Sequence, residues 1–144
     1  MRLSSLISTL LLIPLSRTRS LQPLPLSRSD RWIIDANSNH VPIVGINWPG
    51  AADTMLPEGL EYQSIANIAG KVSQTGFNTV RLTFAIEMVD DILDNGGDVS
   101  LNDTLVDALG VENGTVILGE VLNNNPQFTA ETTRLQVSHF LLRF

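Results

Sequence analysis

Arg81 lies in the run Asn78-Thr79-Val80-Arg81-Leu82-Thr83, where apolar residues alternate with polar ones. Successive side chains of a strand point to opposite faces, so Thr79, Arg81 and Thr83 share one side and Val80 and Leu82 the other. A guanidinium is always charged and carries five donors, so one aimed at a protein interior needs carboxylates or similar groups to receive it. Asn47 and Trp48 end a second short apolar run, Gly45-Ile46-Asn47-Trp48, and could offer an amide and an aromatic face at a strand end. Trp32 is expected in the core instead, because it opens a hairpin.

The chain's 15 acids do not form a recognisable catalytic pair. Glu87 suits the positive end of a helix starting near Ala85, and Asp90, Asp91 and Asp94 read as that helix's wet face. Glu58 and Glu61 precede a longer helix in the same manner. With two histidines, His40 and His139, and no cysteine, no metal-ligand cluster stands out, and no cofactor is expected.

These residues need elements to position them. Residues 21–29 read as an extended arm. Arg31-Trp32-Ile33-Ile34 reads as a strand, Asp35 to Asn39 as a turn, and Val41 to Val44 as the return, with Pro42 limiting it to an edge. From Leu60 to Thr75, Ile65, Ile68, Ala69 and Val72 fall at helical spacing, and Gly76 suits a helix end. A strand, a helix and a second strand within about 40 residues is the pattern of a parallel sheet covered by helices. Beyond Phe84 the spacing predicts four short helices, over 85–93, 102–109, 115–122 and from a cap at Thr129. An insertion of this length after a strand commonly shapes a binding site.

Residues 1–20 have one early cation, then a Leu- and Ile-rich run from Leu3 to Leu15, and Thr18-Arg19-Ser20 as a cleavage region. This is the pattern of a secretory signal peptide, too short in its apolar part to span a bilayer. A secreted, extracellular product is expected, with no membrane partner once the signal is removed. Removal takes away three arginines and no acid, leaving six cations against 15 acids, a net charge of −9. That excludes nucleic acid as an expected partner, because phosphate backbones require clustered Lys and Arg. Asn102-Asp103-Thr104 and Asn113-Gly114-Thr115 are N-glycosylation sequons consistent with export, and both asparagines also suit helix caps. Oligomeric state leaves no sequence signal.

The segments RWIIDANSNHVPIVGINWPG, EGLEYQSIANI, TGFNTVRLTFAIEM, ENGT and NNNPQFTAETTRLQV, in this order, closely resemble the N-terminal part of secreted fungal enzymes of glycoside hydrolase family 5, the cellulase-like family. The resemblance runs from about Leu26 to Val137. It implies an α/β fold, here a truncated (β/α)8 barrel comprising the N-terminal hairpin, the first two strands and their helices. Residues 30–137 would form that part, and 138–144 an atypical tail. The family cleaves β-glycosidic bonds with retention, using two glutamates about 5–5.5 Å apart. The resemblance implies that Arg81 supports the nucleophile, and that Asn47 and Trp48 stand at the rim of the substrate cleft. Neither glutamate has a match in these residues, which end before a third strand. The expectation is a fragment of a hydrolase acting on a β-linked polysaccharide and inactive alone. The other reading is a secreted, non-catalytic carbohydrate-binding or interaction protein.

Overall fold

The computed structural model describes residues 23–50 and 52–143, so residues 1–20, read as a signal peptide, lie outside the described residues. Two compact units divide at Pro42 and Ile43.

In the first unit, β1 (Ser27–Ser29) pairs antiparallel with β2 (Trp32–Ile34), Ser29 opposite Trp32 and Ser27 opposite Ile34. Asp30, at φ 54°, begins the two-residue turn between them. The sequence led us to expect β2 to pair with Val41–Val44, with 21–29 as a free arm. Instead the arm supplies the partner strand. Toward β2 the chain after the turn gives an isolated bridge from His40 to Ile34 and a bond from the Val41 amide to the Ile33 carbonyl at 2.9 Å, not a paired strand. Pro42 has no amide proton with which to extend that ladder.

The Asp35–Asn39 turn forms as expected. The Asp35 carboxylate accepts from the Asn37 and Asn39 amides, both at 2.9 Å, and Ser38 takes φ 64°. The Asn39 amide contributes most to holding the Asp35 carboxyl below its ordinary range, against the upward push of burial. Trp32, expected in the core, is 45% exposed. Its ring stacks on His40 at 4.7 Å, and the Arg31 guanidinium lies 4.8 Å from its centroid.

The second unit opens with β3 (Gly45–Trp48), continues through α1 (Ile65–Gln74) and returns in β4 (Thr79–Leu82), which pairs parallel with β3. Ser64 caps α1 by accepting from the Asn67 amide at 3.2 Å, and the chain leaves through Gly76 at φ 98°. Four helices follow: α2 (Ile86–Asn95), α3 (Leu101–Leu109), α4 (Val111–Asn124) and α5 (Arg134–Leu141). Gly96 (φ 69°) ends α2, and Gly110 (φ 80°) separates α3 from α4. A β-carbon on Gly114 would stand 2.5 Å from the Leu105 carbonyl oxygen, so α3 and α4 approach closely there.

Helix starts differ from the expected ones. Ser100, not Asn102, caps α3; Asn113 lies inside α4; and Thr133, not Thr129, caps α5 in a reciprocal box with Gln136. The Thr129 amide instead donates to the Thr132 hydroxyl at 2.8 Å. Ser100 and Thr133 form an isolated bridge to one another, so the two caps fix each other.

The core gathers Trp48, Leu60, Ile65, Leu101, Leu105 and Val137 with their neighbours. Among the described residues the result is an α/β arrangement of five helices and two open two-stranded sheets, consistent with part of a barrel. No helix among them is long and apolar enough to cross a membrane.

Candidate active-site face

The parallel register sets Asn47 beside Arg81, and Ile46 and Trp48 beside Val80 and Leu82. Alternation then gives the sheet two unlike faces. Gly45, Asn47, Thr79 and Arg81 form one; the other turns Trp48 and Leu82 toward α1 residues Ile65 and Ile68 in the core. The division of Thr79 and Arg81 from Val80 and Leu82 is the one expected from the sequence.

Both ends of the pair are tied. Asn78 accepts the Val44 amide on its side-chain oxygen at 2.8 Å, and its own amide donates to the Val44 carbonyl at 2.9 Å. At the other end the Thr83 amide and hydroxyl both donate to the Trp48 carbonyl, at 3.3 and 3.2 Å. Asn47 and Arg81 are thus held on adjacent backbones by bonds flanking them on both sides.

Arg81 is exposed, and among the described residues no acid stands within ion-pair distance of it. Asn47 is exposed as well. Trp48 is only 6% exposed. Its indole nitrogen donates to the Glu58 carbonyl at 3.0 Å, which closes the 49–58 loop together with a bond from the Glu58 amide to the Pro49 carbonyl. Gly50 permits that closure, because a β-carbon there would meet the Pro57 Cα at 2.9 Å. Trp48 therefore shapes the strand end as a packed side chain. With Ile46, Val80, Ile68, Val72 and Tyr62 it borders a cavity of about 660 Å³.

The buried arginine of this unit is a different one, which sequence reasoning missed. Arg134, 3% exposed, donates from Nε to Asp98 at 3.0 Å and from Nη1 to Asp91 at 3.1 Å. Burial pushes the Asp98 carboxyl up. The Leu135 amide, the Thr133 hydroxyl, the Arg134 guanidinium and the Val99 amide outweigh that and hold it below the ordinary carboxylate range. Asp91 is therefore more than part of a wet face. Its partner is 43 residues away, so no local spacing signals the pair.

Asn125, fully buried, was missed as well. Its oxygen accepts the Ile65 amide at 2.9 Å, and its nitrogen donates to the Leu60 and Val121 carbonyls at 3.2 and 3.1 Å. Asn124 adds a 2.7 Å bond to the Glu61 carbonyl. These bonds moor the loop between β3 and α1 to the end of α4.

Glu87 occupies the first turn of α2, as expected. Asn102 is half-buried on α3 and Asn113 exposed on α4, so both sequons sit on helices. No group of acids and histidines among the described residues is placed to hold a metal ion.

No protein-family model matches the chain. A curated "Glycosyl hydrolase 5 family protein" from the plant Chamaecyparis obtusa is 43% identical to it over 67 residues, 46% of this chain. The matched stretch is 12% of that relative's length. This likeness supports glycoside hydrolase family 5 at the level of the family, and it comes from a plant where the motifs suggested a fungal source.

Proposed function

We propose that residues 43–84 are the first β–α–β unit of a retaining glycoside hydrolase of family 5 acting on a β-linked polysaccharide. In this reading residues 1–20 direct secretion, 30–137 form the N-terminal part of the barrel, and the motif likeness to fungal enzymes reflects the chain's own source. The observation that carries it is the register that sets Asn47 beside Arg81 on the face away from α1. In a barrel that face points inward, where the strand ends build the active site.

Arg81 then contributes by charge. A guanidinium within a few ångströms of a carboxylate stabilises its ionised form and lowers its pKa by about 1–3 units. Retention requires one carboxyl ionised as nucleophile and the other protonated as acid. An arginine on the inner face sustains that asymmetry at the nucleophile. Asn47 offers an amide to sugar hydroxyls near the same strand ends, and Trp48 fixes the loop that borders them. Nothing in these residues supplies the two glutamates, so the 144 residues alone hydrolyse no glycoside.

The test is a chimera. Residues 43–84 replace the corresponding stretch of the Chamaecyparis obtusa relative, after that protein's own hydrolysis of a chromogenic β-glycoside has been established. A working chimera that loses about 100-fold or more in kcat on Arg81→Ala supports the reading, since an electrostatic contact made in the transition state has about that worth. A folded but inactive chimera, or one indifferent to Arg81→Ala, overturns it. Turnover by residues 21–144 alone, above that of their Arg81→Ala form, would overturn the claim of inactivity.

A further inference from the structure

The two sequons are alike in sequence and unlike in setting, and from that difference we infer that Asn113 carries an N-linked glycan, Asn102 does not, and the glycan covers an apolar cleft beside it. The inference rests on the secreted reading above. It adds which site is used and what the sugar does there.

Glycan transfer requires the asparagine amide together with the hydroxyl two residues on, and the folded protein must then have room for the product. Asn113 is exposed in the first turn of α4, with a single long bond of 3.5 Å from its Nδ2 to the Leu109 carbonyl. Thr115 is also exposed, its hydroxyl donating to the Val111 carbonyl at 2.7 Å. At the other sequon Asn102 is half-buried, with its Nδ2 donating to Asp103 at 3.1 Å and its main-chain amide donating to the Ala130 carbonyl. The Thr104 hydroxyl is buried without a partner. A sugar added to Asn102 before folding would have to be accommodated where α3 docks against residue 130. One added to Asn113 meets open space.

That space is not featureless. Asn113 lines a cleft of about 530 Å³ between α3, α4 and the loop after β3, together with Leu105, Leu109, Val116, Ile117, Glu58 and Glu112. Val116 in that lining is 59% exposed. Sugar rings present C–H faces to apolar side chains and hydroxyls to carboxylates, and this lining offers both. Contiguous apolar surface left open favours association, which a tethered glycan prevents.

The experiment expresses the full chain in a secreting eukaryotic host, with an unstructured tag containing one Asn-Gly-Thr acceptor appended after Phe144 as an internal control. Intact mass before and after enzymatic removal of N-glycans counts the occupied sites. The expected result is two glycans, one on the tag and one at Asn113. Asn113→Gln and Thr115→Ala should each lose one and Asn102→Gln none. Binding of a fluorescent apolar dye should rise in both glycan-losing variants. Two independent substitutions keep the result readable if either one misfolds. A modified tag with Asn113 unmodified, occupancy of Asn102, or unchanged dye binding overturns this inference while leaving the hydrolase reading in place. An unmodified tag overturns secretion and this inference together.

Discussion

Two arginines in the second unit stand in opposite circumstances. Arg134 is enclosed among the helices with two aspartates on its guanidinium, while Arg81 stands exposed on an open two-stranded sheet with no acid at ion-pair distance among the described residues. The helical region satisfies nearly all of its own buried polar groups. Besides the Thr104 hydroxyl, Arg134 Nη2 is the other side-chain atom left buried and unbonded among the described residues. The sheet region satisfies its backbone at both ends and leaves its most strongly charged side chain facing outward. A charge that stabilises a fold is surrounded by that fold, and among the described residues Arg81 has no such surroundings.

Substitutions can break this contrast or sharpen it. Arg134→Ala should have the largest effect on stability, about 3–5 kcal/mol in urea unfolding, because it takes the cation from the enclosed Asp98 carboxylate and from Asp91. Asn125→Ala should follow at about 2–3 kcal/mol, by leaving the buried Ile65 amide without its acceptor and taking one donor each from the Leu60 and Val121 carbonyls. Gly114→Ala should cost about 2 kcal/mol, since its methyl group would press on α3 backbone that must shift to admit it.

Acid titration should separate the two regions as well. The folded Asp98 carboxyl lies below its unfolded value of about 3.9, so its contribution is fully present above that pH and declines as pH falls through the lower folded value. Asp98→Asn should be less stable at neutral pH and should lose less further stability below about pH 4 than the parent chain. Arg81→Ala should have the smallest effect, within about 0.5 kcal/mol, as expected for an exposed side chain with no ion-pair partner among the described residues. A loss above about 2 kcal/mol would mean that Arg81 is a structural cation after all, and the contrast would collapse.

The sheet face was legible in the sequence because it depends on a local period. Alternation from Thr79 to Thr83 and the helical stripe from Ile65 to Val72 are each written within a few residues. What escaped depends on residues far apart in the chain. Asp91 and Asp98 acquire their role from Arg134, and the cap at Thr133 is fixed by its bridge to Ser100. Thr129 and Thr133 are alike in residue type, but Gln136 completes a capping box only for Thr133, a local signal that the reading passed over. The hairpin was misread because Ser27–Ser29 has no apolar residue, while Val41–Val44 is apolar throughout. Backbone bonding decided the outcome there, and Pro42 had forfeited its share. Family likeness pointed to Arg81 and had nothing to say about Asn125.

Asn125 also imposes an order of events on a chain made from its N-terminus. The amide that it receives belongs to Ile65, 60 residues earlier, so the first turn of α1 must wait for most of the helices before gaining that acceptor. Chains cut at residue 110 should accordingly leave the Ile65 amide open to hydrogen exchange, while the full length protects it. One side chain thus closes the start of α1 and the end of α4 together, and neither end is satisfied until both are in place.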